Sequence, residues 1–563
     1  MKGSRGGGTR IAFGVLVAAA VSALPAPNAV AVAISPDALT DGIATNNNCT
    51  LREAVQAANK NIPIDDCPAG SASEEDHVFL DSGHYKLTAS GDDEAANLTG
   101  DLDLDENGGP LSIRGAGRTA TFIDSEMDDR VLETSENLGG EFTLADLTVA
   151  GNQQSLLSGG AIMVGSDLTA DRIIVESGKA QFGGGISCRY AELKLRNSIV
   201  RDNQSVVSST GFPNVIAAGG GILVTTGCTA TITDSLVEDN ESIANDSQAL
   251  GGGIVARGTK LKLRRSTVTG NSVFSSTNSP AVTSVRQGGG IYVEGQPTVI
   301  ISNATIADNT ASSVGRASTG GGVFLGVGDA NVRIDATTLS HNSATSGTSV
   351  AALGGNATIG GSILANTATG TVCSQASGGK VKTRGYNVIN PAPSGCMHGA
   401  AAAKDVIDVP DIGSIPIANG GPTPTLAIPG SSPAANLVPT KECRPAKRSD
   451  QRGAERPAGG RCDAGAYDRT KCRGVLADST FTFLTAGDDN TSGLSGDDFL
   501  APSAGDDKYR SFEGNDVLCG GSGDDRLVAD EGKDKLDGGR GKDVCDGGAG
   551  NDSAVACEKQ TST

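Results

Sequence analysis

Short stretches in which apolar and polar residues alternate recur through the middle of the chain, as at residues 229–233, 261–263 and 299–302. A period of two turns every second side chain toward the same face, and β-branched residues favour extended backbone. Each stretch therefore predicts a short β-strand with one face toward a core.

A glycine box, Gly-Gly-Gly-Ile or a close variant, recurs between these strands. It stands at residues 159–162, 183–186, 219–222, 251–254, 288–291 and 320–323. From the third glycine of a box to a following asparagine the offset stays at 18 to 20 residues, giving Asn203, Asn240, Asn271, Asn309 and Asn342. A constant unit with variable connecting segments is typical of a solenoid. We predict an all-β chain in which residues 100–370 form a right-handed parallel β-helix with these asparagines stacked at one corner. Asparagine suits that corner because it tolerates left-handed backbone and its amides can stack into a ladder. A β-sandwich with Gly-rich turns is the alternative.

One amphipathic helix is predicted before the strands. Leu51, Ala54, Val55 and Ala58 fall on one helical face, and Thr50 and Glu53 have capping-box spacing. Such a helix could cover the open first coil, whose strand edges are otherwise unpaired. The run from Cys49 to Asn59 resembles the Cys-Ser-Leu-Arg-Glu-Ala (CSLREA) domain of secreted bacterial β-helix proteins, and this resemblance implies an N-terminal cap over residues 34–99.

A second resemblance follows the predicted solenoid. The run Gly-Gly-Pro-Thr-Pro-Thr-Leu at 420–426 and the run Cys-Asp-Ala-Gly-Ala-Tyr at 462–467 are similar to the choice-of-anchor Q domain of the same exported proteins. This resemblance implies a C-terminal cap over residues 371–470, followed by a linker at 471–484. The charged residues Asp450, Arg452, Arg456 and Asp463 could be a catalytic cluster, but we expect them to be structural.

The period changes to nine residues near the C-terminus. Glycines stand at every ninth position from 487 to 550, and an aspartate follows each by two residues, namely Asp489, Asp498, Asp507, Asp516, Asp525, Asp534, Asp543 and Asp552. A mainly apolar residue comes two positions later. Glycine lets backbone carbonyls turn toward an ion, and carboxylate oxygens suit Ca²⁺ far better than zinc. The sequence therefore predicts that these eight aspartates bind Ca²⁺.

The nonapeptide pattern resembles the repeats-in-toxin (RTX, hemolysin-type) calcium-binding repeat of secreted bacterial proteins. This resemblance implies a calcium-binding parallel β-roll over residues 485–555, with a tail at 556–563. A disordered acidic linker is the alternative. The outer repeats match the pattern less well, because Thr491 and Ala554 fill the apolar position poorly and Lys533 and Lys542 replace the usual Asp or Asn. We therefore expect the inner aspartates to matter most.

Composition and charge agree with a solenoid that binds cations. The chain has 79 glycines, no tryptophan and only 12 phenylalanines, so small aliphatic residues must build its core. The formal net charge is −20, and residues 487–552 hold 17 acidic against 7 basic residues, a net of −10. This charge opposes non-specific nucleic-acid binding and favours divalent cations.

The N-terminus has the charged, apolar and small-residue order of a secretory signal peptide over residues 1–33, although a membrane anchor is the alternative. No later segment is long and apolar enough to cross a bilayer. Twelve cysteines in an exported chain indicate disulfides, with 49–67, 373–396 and 443–462 as plausible pairs. The chain has only four histidines, which are scattered, and no Cys-x-x-Cys pair, so we do not expect the cysteines to bind zinc.

Two functions fit these features. The first is a secreted, non-enzymatic calcium-binding protein of the cell surface or matrix, whose partners are calcium ions and an extracellular polysaccharide or another cell surface. The second is a polysaccharide lyase or hydrolase, since pectin-active enzymes share the β-helix, but fold alone cannot decide between them. Asp202, Asp239 and Asp308 recur at the corner before the asparagine and look like part of the repeat. No coil holds a distinctive acid, His and Arg combination, so we expect no catalytic residue.

Overall fold

The computed structural model describes residues 31–561, apart from 92–96, 106–107, 128, 136–139, 152–155, 208–215, 246, 277–286, 315–316, 367–369, 400, 420, 444–448, 455, 457–459, 470, 473–474, 477–481, 484–487, 494 and 502. Most of the predicted signal peptide, residues 1–30, lies outside the described part. Within the described part, no helix has the length and apolar character that a bilayer crossing requires.

The middle of the chain winds into a parallel β-helix with four sheets, which confirms the predicted fold. Every paired strand in these sheets runs parallel to its neighbours in the next coils. Sheet I, which follows the glycine boxes, contains Leu102–Leu104, Leu132–Thr134, Ile162–Val164, Ile186–Cys188, Ile222–Val224, Ile254–Ala256, Ile291–Val293, Val323–Leu325, Val350–Ala352 and Cys373–Gln375.

Sheet II comes next in each coil and contains Ala33–Ile34, Asp76–Phe79, Leu111–Arg114, Glu141–Ala145, Asp167–Asp171, Glu192–Arg196, Thr229–Thr233, Lys260–Arg264, Thr298–Ser302, Asn331–Asp335, Asn356–Gly360 and Lys380–Gly385. Sheet III contains Gly83–Leu87, Thr121–Ser125, Thr148–Ala150, Ile174–Glu176, Ile199–Arg201, Leu236–Glu238, Thr267–Thr269, Thr305–Ala307, Thr338–Ser340, Ile363–Ala365, Val388–Asn390 and Val406–Ile407. Sheet IV contains Leu156–Ser158, Lys179–Phe182, Gln204–Val207, Ile216–Ala218, Glu241–Asn245, Gln248–Leu250, Ser272–Ser276 and Thr310–Val314. The stacking thus starts before residue 100 and continues past residue 370.

The core of the β-helix consists of aliphatic residues stacked in register from coil to coil. Ile186, Ile222 and Ile254 occupy the same place in consecutive strands of sheet I and are fully buried. Within one strand of sheet II, Leu261 and Leu263 are buried while Lys260 and Lys262 lie outside the core. Alternation therefore sets which face of each strand points inward, as predicted.

The glycine box and the asparagine of one coil meet at the same place, which explains their constant offset. A Cβ on Gly253 would lie 3.0 Å from the side chain of Asn271, and the boxes at Gly185 and Gly290 face their own asparagines in the same way. The asparagine side chains form a buried ladder, as predicted. The amide of Asn240 donates to Asn271 at 2.9 Å, and Asn271 donates to Asn309 at 2.9 Å.

One detail of the predicted corner is wrong. We expected the asparagine itself to adopt left-handed backbone, but the residue before it does so, as Asp202, Asp239 and Asp308 show with φ of 54°, 51° and 56°. The asparagine is selected for its amide, which has donor and acceptor groups that continue the ladder.

The predicted cap helix is present at Leu51–Lys60, with the Thr50–Glu53 capping box intact. Its apolar face joins the β-helix core, and the Asn59 amide donates to the carbonyl of Asp103 at 2.7 Å on the first strand of sheet I. The fully buried Arg52 donates to the carbonyls of Gly100 and Asp101 and pairs with Asp41. The helix thus covers the end of sheet I.

Residues beyond the last coil lie along the side of the β-helix. The Gln451 amide donates to the hydroxyl of Thr267 at 2.7 Å, and the Thr305 hydroxyl donates to Gln451 at 2.7 Å, which joins this region to two strands of sheet III. A 3-10 helix spans Ala402–Lys404. Two antiparallel strand pairs lie further along the chain, Val438–Pro439 with Arg461–Cys462 and Lys471–Cys472 with Val475–Leu476. This segment therefore braces the coils laterally as well as following their end.

The C-terminal repeats form a parallel β-roll, as predicted. One sheet contains Thr482–Phe483, Phe499–Ala501, Ser503–Ala504, Val517–Ser522, Lys535–Arg540 and Ser553–Val555. The opposite sheet contains Asn490–Ser492, Lys508–Arg510, Arg526–Val528, Val544–Asp546 and Lys559–Thr561, and a short pair joins Glu531–Gly532 to Ala549–Gly550. Paired residues such as Lys508 and Arg526 are 18 positions apart, so two nonapeptides make one turn.

Five disulfides are seen among described residues, including the three predicted pairs Cys49–Cys67, Cys373–Cys396 and Cys443–Cys462. Cys188–Cys228 and Cys545–Cys557 are the others, and sequence spacing did not identify them. Cys228 lies four residues after Val224, which faces Cys188 on the next coil, and Cys557 lies three residues before Gln560, which faces Cys545 on the next turn of the roll.

Candidate calcium-binding roll

The roll sorts the eight predicted aspartates into two columns. Because one turn takes two repeats, alternate aspartates stack on the same side. The first column is Asp489, Asp507, Asp525 and Asp543, and the second is Asp498, Asp516, Asp534 and Asp552. The structure thus brings together in columns all the residues that the sequence predicted as calcium ligands.

Each column is held by a ladder of backbone-to-carboxylate hydrogen bonds. The amide N–H of Asp507 donates to Oδ1 of Asp525 at 2.9 Å, and that of Asp525 donates to Oδ1 of Asp543 at 2.8 Å. In the second column, Asp516 N–H donates to Oδ1 of Asp534 at 2.8 Å. These bonds fix one oxygen of each carboxylate and leave the other available to a further partner.

That second oxygen is buried and accepts no hydrogen bond. This holds for Oδ2 of Asp507, Asp516, Asp525, Asp534, Asp543 and Asp552. The first five of these side chains are at most 1% exposed. A buried carboxylate without a partner is costly, so such positions occur where a cation or a proton satisfies them.

Glycines make room beside these oxygens. A Cβ on Gly520 would stand 2.2 Å from Oδ2 of Asp525, and one on Gly538 would stand 2.6 Å from Oδ2 of Asp543. Gly523 and Gly541 adopt φ of 133° and 145°, which side-chain-bearing residues rarely reach. The glycine pattern therefore reflects both a turn geometry and a space next to each carboxylate.

Burial and the neighbouring carboxylates raise the pKa values of the aspartates in the columns. Burial, together with the neighbouring carboxylates of Asp507 and Asp543, raises the pKa of Asp525 to about 7. Burial likewise raises the pKa values of Asp507 and Asp534 to about 6 each. Without a cation, the roll thus holds carboxylates that resist ionisation.

The residues present fit a bound Ca²⁺. They offer hard anionic oxygens that accept no hydrogen bond, and a glycine backbone whose carbonyls can supply further oxygen ligands. The apolar position fills a separate small core with Leu500, Tyr509, Leu518, Leu527, Leu536 and Cys545. Thr491 lies exposed, and Asp489, Asp498 and Asp552 are only half-buried, which agrees with the weaker outer repeats.

The charged residues between positions 450 and 469 form a buried structural network. Arg452 pairs with Asp450 at 2.6 Å and stacks on Tyr467 at 3.8 Å, while Arg456 donates to the carbonyls of Gly465 and Ala466. These groups bond to one another and to backbone, which supports the structural interpretation over a catalytic one.

An open groove of about 570 Å³ lies on the outer face of sheet I, and no sequence pattern predicted it. Its floor is a row of residues in register on four successive coils, Glu133, Met163, Ser187 and Leu223. Arg130, Arg189, Tyr190 and Arg257 also line it. The coil that carries Glu133 has no glycine box, so the place of Glu133 in this row could not be read from the sequence.

Acidic side chains converge at the end of this groove. Carboxylate oxygens of Asp101, Asp103 and Glu133 lie within 4.8 Å of one another. Arg130 pairs with Asp101 at 3.4 Å and with Glu133. Burial raises the pKa of Asp101 to about 8, although the Arg130 guanidinium lowers it. An acid and arginine combination is therefore present, assembled from different coils.

Comparison with known proteins identifies the repeats of the roll. Residues 484–518 and 520–554 match the RTX calcium-binding nonapeptide repeat (4 copies). The C-terminal region therefore carries RTX calcium-binding repeats. No curated protein matches the chain.

Among solved structures, the chain is similar to the PL6 family alginate lyase AlyGC at 12% identity and a TM-score of 0.25, covering 86% of this chain and 72% of that one. An arginine-to-alanine variant of the same lyase gives 14% identity and a TM-score of 0.28, with 92% and 72% covered. Likeness at this level carries no argument about chemistry.

Proposed function

We propose that the protein is a secreted, non-enzymatic calcium-binding component of a cell surface or extracellular matrix. The observation that carries this proposal is the set of buried Oδ2 oxygens without hydrogen-bond partners in the two aspartate columns. The β-helix supplies a long rigid scaffold, and the roll supplies the calcium-responsive part. Disulfides along the chain suit an oxidising compartment outside the cytoplasm.

Calcium would act in the roll by binding between carboxylates that otherwise repel one another. The carboxylates of one column repel one another, and this repulsion adds to the larger effect of burial in raising the pKa values of Asp507 and Asp525. A bound Ca²⁺ supplies positive charge to these oxygens and lets them stay ionised at neutral pH. The chain's own part is to hold each Oδ1 in the backbone ladder and to keep glycine next to each Oδ2.

The first test is a calcium titration of the full chain by calorimetry. We expect wild-type protein to bind several Ca²⁺ ions, and Asp525→Asn to bind fewer ions or to bind them about tenfold more weakly, because ligand charge sets Ca²⁺ affinity. Asp546→Asn is the matched control, since Asp546 lies in a neighbouring strand outside both columns. Equal binding by the wild type and Asp525→Asn would contradict the assignment, as would an equal response to Mg²⁺.

The second candidate function is cleavage of an acidic polysaccharide, and the groove on sheet I favours it. Lyase and hydrolase chemistry needs acidic groups near a basic residue or a second acid. The groove brings Asp101, Glu133 and Arg130 together beside Arg189 and Tyr190. The elongated floor across four coils suits a linear chain better than a compact metabolite.

Product release separates the two candidates. Purified protein is incubated with a panel of acidic polysaccharides, with and without Ca²⁺, and reducing ends and unsaturated products are measured. The non-enzymatic proposal expects none. Release that Arg189→Ala abolishes, while the exposed control Arg196→Ala on the same coil does not, would establish the enzymatic alternative instead.

A further inference from the structure

The chain continues the roll beyond the last matched repeat. Lys559–Thr561 forms the edge strand of the second sheet and pairs with Val544–Asp546 in parallel. The N–H of Lys559 donates to the carbonyl of Asp543 at 3.1 Å, as the N–H of Val544 does to Asp525 one turn earlier. The described part of the predicted tail 556–563 is therefore a structural half-turn.

This half-turn is shorter than the others. Val544 pairs with Lys559, 15 residues later, whereas Arg526 pairs with Val544, 18 residues later. In the earlier turns, an aspartate of the first column directly precedes the first residue of each paired strand. Before Lys559, that place is occupied by Glu558.

Glu558 also takes the aspartate's place in the hydrogen-bond ladder. The N–H of Asp543 donates to Oε2 of Glu558 at 2.5 Å, just as the N–H of Asp525 donates to Oδ1 of Asp543. The additional methylene of glutamate lengthens the side chain where the backbone path has lost three residues. The column therefore has a fifth carboxylate, which the nonapeptide pattern did not reveal.

The oxygens around this position resemble those of the inner turns. Oδ2 of Asp543 is buried and accepts no hydrogen bond. It lies 2.6 Å from the point where a Gly538 Cβ would stand, and the carbonyl oxygen of Ala556 lies 2.2 Å from the same point. A carboxylate and a carbonyl thus face each other across a glycine, beside a second carboxylate.

A disulfide holds the half-turn on the roll. Cys545 is fully buried in the roll core, where it fills the apolar position of its repeat, and it is bonded to Cys557 next to Glu558. The cross-link restricts the 12-residue separation between them and limits fraying of the edge strand.

We propose that Glu558 is a calcium ligand that completes a site with Asp543 at the C-terminal end of the first aspartate column. This inference rests on the proposed calcium binding of the roll and extends it beyond the matched repeats. Without Glu558, the last aspartate of the column would have no following carboxylate, and its site would lack one of its charges.

The experiment uses the full oxidised chain and compares Glu558→Gln with the wild type. The substitution keeps the size of the side chain and removes its charge. Glu531→Gln is the matched control, because Glu531 is an exposed glutamate in the same roll and loses the same charge. The number of bound ions is measured by equilibrium dialysis against CaCl₂, and hydrogen exchange is followed over residues 544–561.

We expect Glu558→Gln to bind one calcium ion fewer, or to bind one ion about tenfold more weakly, and Glu531→Gln to match the wild type. Amides of residues 559–561 should lose calcium-dependent protection, while protection over 508–528 reports that the inner turns still fold. Wild-type stoichiometry, affinity and protection in Glu558→Gln would overturn this inference alone. A wild-type chain that binds no calcium would overturn the proposed function as well.

Discussion

At the scale of single residues, the asparagine ladder shows how one side chain can link its own coil to the coils on either side. The Asn271 amide donates to the carbonyls of Val237 and Thr269 and to Oδ1 of Asn309. The bonds to Val237 and Asn309 are buried, and the bond to Thr269 is partly buried. Oδ1 of Asn271 accepts from the backbone and side chain of Asn240. No apolar residue of similar size could replace these bonds.

We therefore expect Asn271→Val to destabilise the β-helix by about 2–3 kcal/mol, because it leaves buried donors and acceptors unsatisfied. The cause is loss of the amide rather than backbone strain, since the left-handed residue at this corner is Gly270. Urea unfolding measures the change. Asn331→Val is the control, because Asn331 is exposed at the start of a strand, where valine fits. Equal stability of the two variants would contradict this account.

At the scale of elements, sequence periodicity predicted those features that recur in every coil or every nonapeptide. The offset of the glycine box from the asparagine follows from their contact within one coil, so it was visible in the chain. The 9-residue spacing likewise predicted the aspartate columns. The groove at Glu133 and the place of Glu558 could not be predicted in this way. They depend on which coils stack and on a shortened turn, and neither leaves a repeated pattern.

The aspartate columns also make the calcium-free roll sensitive to pH. The pKa values of Asp507, Asp525 and Asp534 are raised by burial to about 6, 7 and 6 in the folded roll, from an ordinary value of 3.8. Between pH 4 and pH 7 the folded roll therefore binds more protons than the unfolded chain. Its stability is highest at the acidic end of this range and is lost as the pH rises through 6 to 7.

In a chelator, we expect the folded fraction of the roll to rise when the pH falls from 7.5 to 5. Calcium binding should change in the opposite direction, because protons compete for the same carboxylates. Pulse-labelling hydrogen exchange at one fixed labelling pH, read over residues 508–546, measures both effects. A folded fraction that falls on acidification without calcium would show that the buried carboxylates do not control the stability of the roll.

At the scale of the whole molecule, the two repeat regions have cores of very different character. The β-helix core runs continuously through its coils and includes the cap helix. The roll core is a separate small cluster around Leu518, Leu527 and Leu536. The segment 487–552 also carries half of the chain's net charge. Its apolar burial is small against chain entropy and charge repulsion, so binding of a cation must supply stability there.

We therefore expect calcium to control folding of the roll without affecting the β-helix. In a chelator at neutral pH, amides over residues 508–561 should exchange rapidly, while those of sheets I to III stay protected. Added Ca²⁺ should protect the amides of the roll from exchange, with half of the effect at a Ca²⁺ concentration on the order of 10⁻⁴ to 10⁻³ M, as for extracellular modules. Hydrogen exchange of the full chain, with MgCl₂ as the control, measures both regions at once. Full protection of the roll in chelator, or loss of β-helix protection together with it, would refute independent, calcium-driven folding.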